Sequence, residues 1–440
     1  MECLYKNGDT CSEPVRFVQE ALISDICKDW TKDDRIYIFC TSKDKTGENG
    51  SKEINWEDNG QEKIYCEIEK IGLHSRLENL KAKGLKPVFE EMDICAGFTE
   101  DDTWDIFDTV YSKLKIDDQI YFDVTHAFRS IPLFSVVLFN YSKFMISTEV
   151  VSVMYGAFEK LGPAYKVRQM PLEERIVQVV DLTNIIRLQQ YNQIASNLKD
   201  FGRVSRISEM INDTTDAPNA NIIKDLKTSI EDLDNYIVTI DIKSLKKGAF
   251  VAKFRTSINK YRGRNHVSKP IDNILKELEK ELADFTNQKS YQNIEAAINW
   301  TIRHEMFTQT YPLAEEYVIL RLSEEFAGSK PNELRGKSYR TFISNILGTP
   351  EIIFSQKAWD SRLNTYPDFA DMLSDSPRII EIRPTYDKLR EIRNSLAHGN
   401  GETTVEDARN SIPIVIECLT MLSPEYALLP TTQKILYDMA

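Results

Sequence analysis

Over residues 1 to about 170, short apolar runs alternate with amphipathic ones. Ile36-Tyr-Ile-Phe-Cys40, Ile120-Tyr-Phe-Asp-Val124 and Glu149-Val-Val-Ser-Val-Met-Tyr155 are brief, rich in β-branched and aromatic residues, and bounded by charged turns, which predicts strands. Between them, Val15 to Lys28, Leu73 to Lys83, Thr103 to Leu114 and Arg129 to Lys143 carry helical spacing. Strands alternating with helices predict a mostly parallel, doubly wound sheet. Ligands of such sheets bind at the carboxyl ends of the strands.

From about residue 171 the strand signal disappears. Leu182, Ile185, Ile186, Tyr191 and Ile194 fall near helical spacing, as does the charged run Ile274 to Phe285, and the polar text Asn212 to Asn221 reads as a loop. Residues 291–440 are helical again, broken by Gly328-Ser-Lys-Pro331, Gly348-Thr-Pro350 and Asp375-Ser-Pro377. The pattern predicts an α/β plus all-α chain in three parts: a Rossmann-like domain at 1–170, a helical connector at 171–290 and a helical domain at 291–440. No internal repeat is evident.

Composition narrows the class. With 440 residues, 42% apolar and 28% charged, the chain is too apolar for disorder and long enough for two or three cores. Seven scattered cysteines with no C-x-x-C pair read as reduced, mostly buried thiols, and the N-terminus lacks a signal-peptide core. The longest apolar stretch, Ile131 to Met145, is interrupted by Ser135, Asn140, Ser142 and Lys143, which suits a buried helix better than a membrane span. A soluble cytoplasmic protein is expected.

The formal charge of −13 argues against coating nucleic acid through bulk charge. It is unevenly spread: −9 in 1–170, +2 in 171–290 and −6 in 291–440. Lys243 to Lys269 holds nine basic residues and no acid, with Phe250, Phe254 and Tyr261 interleaved. Its Arg262 and Arg264 read either as a solvated face or as guides for RNA. Any engagement of nucleic acid should be local and salt-sensitive.

Two stretches carry candidate chemistry. Asp123-Val-Thr-His-Ala-Phe-Arg-Ser130 follows a strand and opens a helix with Pro132 in its first turn, where proline is tolerated. Thr125, His126, Arg129 and Ser130 then crowd a helix N-terminus suited to a phosphate-bearing ligand. The same text also describes a plain turn, with Ser130 as a cap and Asp123 satisfying local amides. Thr41-Ser42, after the first predicted strand, reads equally as ligand loop or polar turn.

The second stretch is Thr385 to His398, a predicted helix preceded by Pro384, striped by Leu389, Ile392 and Leu396, and capped by Gly399. It contains Arg393-Asn-Ser-Leu-Ala-His398, whose bare spacing also fits a charged helix end. Five residues turn a helix by about 500°, or about 140° net, so Arg393 and His398 do not share a face. Of the other histidines, His74 and His266 read as surface residues and His304 as structural.

The first stretch resembles the D-x-T-H-G-x-R motif of CARF domains in CRISPR-associated proteins, supported by Phe17-Val-Gln-Glu-Ala-Leu22, Thr41, Asn55-Trp56 and Phe128-Arg-Ser-Ile-Pro132. Ala127 replaces the usual glycine. The resemblance implies an opening strand and a Gly-Thr-rich loop ahead of Met1-Glu-Cys-Leu-Tyr5, an N-terminal shortening that would remove one wall of the ligand site. The text Arg393-Asn394-x3-His398-Gly399 resembles the HEPN ribonuclease motif. Together they resemble the CARF-HEPN ribonucleases of type III CRISPR systems (Csx/Csm type).

That resemblance implies a cyclic tetra- or hexa-adenylate as allosteric activator, held by Thr41, Ser42, Asp123, Thr125, His126, Arg129 and Ser130. It implies single-stranded RNA as substrate and Arg393, Asn394 and His398 as catalytic residues in a cleft shared by two protomers, so a homodimer, with higher oligomers open. No metal or other cofactor and no membrane are expected. Two alternatives stand beside it: a nucleotide-sensing module whose helices only dimerise, and a ring nuclease that degrades the cyclic activator.

Overall fold

The computed structural model describes residues 1–41, 50–58, 71–95, 99–126, 130–211, 220–263, 269–398 and 403–439. The chain divides into two compact units, Met1–Gln190 and Tyr191–Ala440, with the boundary inside the helix Thr183–Phe201. The first is α/β and the second all-α.

Among the described residues the first unit contains seven strands: β1 (Leu4–Asn7), β2 (Thr10–Cys11), β3 (Arg35–Thr41), β4 (Val88–Ile94), β5 (Gln119–Asp123), β6 (Glu149–Gly156) and β7 (Ile176–Asp181). Five form one sheet in the order β2-β1-β7-β6-β5, and β3 and β4 form a second. β1 with β7, β3 with β4 and β5 with β6 are parallel, whereas β6 with β7 and β1 with β2 run antiparallel. The expected parallel sheet is thus mixed. β7, Ile176-Val-Gln-Val-Val-Asp181, parallel to β1 but antiparallel to β6, lies past residue 171, where the sequence pattern turns helical. A single short strand at the edge of helical text is swamped by its neighbours in any window average. β4 escaped for another reason: Glu90, Glu91 and Asp93 make a half-exposed strand look polar.

The helix Val18–Ile26 explains the Phe17-Val-Gln-Glu-Ala-Leu22 text position by position. Glu20, in the helix's first turn, reaches back to accept from the Phe17 amide at 3.0 Å. Val18, Ala21 and Leu22 pack with Tyr5, Met154 and Val177, while Phe17 and Ile23 join Ile36, Trp56 and Leu77.

The second unit has one apolar core running from Ile194 to Ile435, with Trp300, Tyr311, Tyr317, Tyr386 and Tyr426 among its fully buried side chains. Residues of both the expected connector and the expected C-terminal domain contribute to it, among them Phe254, Leu278, Trp300 and Leu389. Phe250, Phe254 and Tyr261, the aromatics interleaved in the basic run, are core residues. The long helix Pro377–His398 begins a full eight residues before the expected Thr385 and carries Pro384 in its interior. Burial of Ile379 and Ile382 outweighs the hydrogen bond that proline forfeits.

Gly202 marks a close approach in this core. It sits at φ +60°, its carbonyl accepts from Trp300 Nε1 at 3.2 Å, and a Cβ there would lie 2.6 Å from both Trp300 Nε1 and His304 Cδ2. Gly202→Ala is therefore expected to destabilise the unit by about 1–3 kcal/mol in a urea titration. Burial, and secondarily the Arg303 guanidinium, depress the His304 pKa. An unfolded imidazole binds its proton near about 6.5, so between that value and the lower folded one the unfolded state holds more protons. Stability is then full at neutral pH and falls as pH drops below about 6.5. Melting temperatures from pH 7.5 to 5.5 should show this slope, and His304→Phe should flatten it.

Candidate functional site

The strand-end text lies where β5 gives out. Asp123 Oδ1 accepts from the Thr125 amide at 3.0 Å and from Thr125 Oγ1 at 2.5 Å, and its Oδ2 accepts from Gln19 Nε2 at 2.6 Å. Thr125 Oγ1 in turn accepts from the Gly156 amide on β6 at 2.8 Å. A side chain at 156 is excluded, since a Cβ would lie 2.9 Å from Val18 Cγ2.

The same device recurs on β7. Asp181 Oδ1 accepts from the Thr183 amide at 2.8 Å and from its hydroxyl, and Thr183 Oγ1 accepts from the Val153 amide of β6 at 2.9 Å. D-x-T is thus a strand-end clasp that joins a strand terminus to β6. Asp123 and Thr125 spend polar atoms on that clasp, as the plain-turn reading had it, and what distinguishes the first copy is the exposed His126 that follows it. The helix after it, Ser130–Ile146, begins where expected. Arg129 lies outside the described residues.

At the end of β3, Thr41 and Ser51 hold each other: the Thr41 amide donates to Ser51 Oγ at 2.8 Å and the Ser51 amide to Thr41 Oγ1 at 3.1 Å. Ser42 lies outside the described residues. Thr41, Asp123, Thr125 and His126, drawn from two separate stretches of sequence, line one cavity of about 1180 Å³. Its depth is apolar, between Ile36 and Ile38 of β3 and Ile120 and Phe122 of β5. Gln19, at its polar end, was not singled out from sequence.

The helix-end text sits on the last turns of Pro377–His398. Arg393 donates from Nε to Glu315 Oε2 at 2.5 Å and from Nη2 to Oε1 at 2.7 Å, a bidentate pair with a carboxylate that is 5% exposed on the helix Phe307–Glu325. The Tyr386 hydroxyl donates to the same Oε1 at 3.2 Å. The pair raises the Arg393 pKa further above the physiological range. Asn394 is half-buried, and His398, the last residue of the helix, is exposed. The different faces required by helical rotation are therefore observed: arginine turned to its own core, histidine to solvent. Glu315 was missed because nothing in its local text separates it from a surface acid. Gly399, the expected cap, lies outside the described residues.

The expected RNA guide at Arg262 is not a free cation. Its Nε meets Asp272 Oδ1 at 2.7 Å and its Nη1 meets Glu279 Oε2 at 2.5 Å. Arg264 lies outside the described residues. Lys246 of the same run is buried, paired with Glu324 at 2.6 Å and set over the Tyr291 ring, and Arg255 donates to the Phe285 carbonyl at 2.8 Å. Lys246, Lys253 and Arg262 of this stretch are thus paired with acids elsewhere in the sequence. Lys243, Lys247 and Lys260 remain exposed.

Every described cysteine is a free thiol, with Cys3, Cys27, Cys40 and Cys418 buried. Among the described residues no helix is long and apolar enough to cross a membrane.

No family model matches the chain. It is 22% identical to a CRISPR-associated protein of Methanocaldococcus jannaschii over 469 aligned residues, which take in 98% of this chain and 63% of that protein. The chain thus spans 63% of the relative's length. Among solved structures it matches Csm6 of Enterococcus italicus bound to cyclic hexa-2′-fluoro-hexa-dAMP, at 12% identity and a TM-score of 0.40, over 96% of this chain and 95% of that one. The chain is thus similar, along nearly its whole length and through both units, to one protein described as CRISPR-associated.

Proposed function

We propose that the chain is a metal-independent endoribonuclease of single-stranded RNA, acting in type III CRISPR defence as a homodimer and switched on by a cyclic oligoadenylate. The observation that carries this reading is the Arg393 clamp. A guanidinium fixed by a buried carboxylate, five positions before a solvent-facing histidine on the same helix, is an arrangement suited to phosphodiester chemistry.

RNA supplies its own nucleophile, the 2′-hydroxyl. His398 takes the proton from that hydroxyl or delivers one to the departing 5′-oxygen. Arg393, permanently cationic, stabilises charge that develops on the phosphorane. Asn394 orients the phosphate or the imidazole. The products are a 2′,3′-cyclic phosphate and a 5′-hydroxyl, and each step is complete without a metal. Because Arg393 and His398 face apart, a cleft that receives one motif from each of two protomers satisfies the geometry.

The activator belongs to the first unit. His126, with Thr41 and the sequence-assigned Ser42, Arg129 and Ser130, would meet its phosphates, while Asp123 and Thr125 shape the turn. Binding drives cleavage only through a higher affinity for the conformation in which the RNA cleft is competent.

Cleavage of a fluorescent single-stranded RNA is expected with cyclic tetra- or hexa-adenylate, undiminished in EDTA; activity strictly dependent on added Mg²⁺ would sink the mechanism. His398→Ala should bind activator normally yet cut about 10²–10⁴-fold more slowly, whereas His126→Ala should weaken activator binding. Glu315→Gln removes the anion that holds Arg393, and should lower kcat by about 10- to 100-fold with activator affinity unchanged. Unchanged RNA at saturating activator would instead favour a purely regulatory module, and linear products from the activator incubated with His398→Ala would point to a ring nuclease.

A further inference from the structure

The two sheets of the α/β unit each leave an edge open. Among the described residues β3 pairs only with β4, and β5 only with β6, so one side of each strand has no ladder partner. The cavity that holds Thr41, Asp123, Thr125 and His126 runs along both of these edges. It is lined by every residue from Asp33 to Thr41 and by every residue from Asp117 to Asp123. Successive side chains of a strand point to opposite faces, so a hollow above or below a sheet meets alternate residues only. A hollow that meets odd and even positions alike lies beside the strand, in the plane of the sheet.

This slot is walled by helices as well as by strands. Leu22 and Ile26 of the helix Val18–Ile26, Val110 of Glu100–Tyr111 and Leu138 of Ser130–Ile146 all line it. The chain itself braces the walls. Gln19 ties the first turn of Val18–Ile26 to Asp123 at the end of β5. Lys113, paired with Glu90 of β4 at 2.9 Å, lies 5.8 Å from the centre of the Tyr37 ring on β3, and the Trp30 ring lies 5.5 Å from that of Tyr121 on β5.

The chemistry of the walls selects what fits. A strand inside a sheet spends half of its N–H and C=O groups on each neighbour, so the open edges of β3 and β5 present two rows of partial charges to an otherwise apolar slot. An acyl chain or a flat ring would bury those groups without partners. An extended peptide is complementary to both rows at once, as in strand addition to a sheet edge. Apolar surroundings on both faces call for aliphatic side chains at odd and even positions alike. The seven residues of β3 span about 23 Å, which sets the length of the segment. The volume of about 1180 Å³ also exceeds the roughly 300–1,000 Å³ of a small-molecule pocket.

We propose that the slot between β3 and β5 accepts one β-strand from a separate polypeptide: an extended segment of about seven residues, aliphatic on both faces and free of proline. Its insertion joins the two sheets into one, in the order β2-β1-β7-β6-β5-strand-β3-β4. This acceptor role is independent of the proposed ribonuclease, and its tests involve neither RNA nor a cyclic nucleotide.

The probe is the synthetic peptide acetyl-KIVVIVTK-amide, added to the full 440-residue chain. Its control is acetyl-KIVPIVTK-amide, because proline removes a ladder donor. Hydrogen exchange should show the β3 and β5 amides slowed at least about tenfold by the first peptide and unchanged by the second. Saturating peptide should also raise Tm by roughly 5–10 °C. Ile38→Asp puts a carboxylate into the slot and should weaken peptide binding at least about tenfold, with circular dichroism to check the fold. The wild-type exchange pattern decides the matter even where that variant unfolds. Unchanged exchange at saturating peptide, equal protection by the proline peptide or by palmitate, or a folded Ile38→Asp chain that binds as tightly as wild type would overturn the assignment. Sedimentation velocity in which two copies separate as the peptide binds would overturn it too, since a second copy would then be the occupant.

Discussion

A carboxylate withdrawn from water has to be met by donors, and Glu315 is the point at which the helical unit answers that demand. Its two oxygens receive the Arg393 guanidinium and the Tyr386 hydroxyl, all from the helix Pro377–His398. Taking the guanidinium away would strand a buried charge, so the rotational setting of that helix against Phe307–Glu325 is not negotiable. Two further arginines on the same helix reinforce it: Arg383 reaches Glu351 at 2.9 Å and the Thr349 carbonyl, and Arg390 reaches the Gly348 carbonyl at 3.2 Å. The turn at 348–351 can receive them only because residue 348 has no side chain; a Cβ there would collide with the Arg390 guanidinium.

In the α/β unit the comparable constraint is the pair of D-x-T clasps. Each replaces missing ladder hydrogen bonds at a strand terminus by an Asp that binds its own Thr and a Thr that binds β6. Because one clasp lies beside the cavity and the other does not carry a histidine, the twin separates what the text Asp123-Val-Thr125 does for the fold from what His126 adds.

The alternation of strands and helices, the helical C-terminal half and both motif-bearing elements were legible in the sequence, because each rests on periodicity over a long window or on text read as a unit. β7 and β4 were not: the first is six residues at the margin of a helical region, and the second hides its pairing under three acids. Boundaries failed where tertiary burial overrode local rules, as at Pro384. The site was half legible. The resemblance singled out Arg393 and His398, but the groups that Arg393 and Asp123 bind were hidden, because Glu315 lies 78 residues from Arg393 and Gln19 lies 104 from Asp123. The partners within the basic run were hidden for the same reason, since Asp272, Glu279 and Glu324 reach Arg262 and Lys246 from other parts of the chain.

The placement of His398 at the final helical residue has a mechanical consequence. Helix interiors are braced by hydrogen bonds on both sides, whereas the last turn leaves its carbonyls without intrahelical donors and opens readily. Arg393, clamped before that turn, is held fast, whereas the exposed imidazole of His398 is not. In the proposed ribonuclease a group that must first face one oxygen and then another would profit from such a mounting, its reorientation costing the freedom of one side chain instead of the shift of a whole helix.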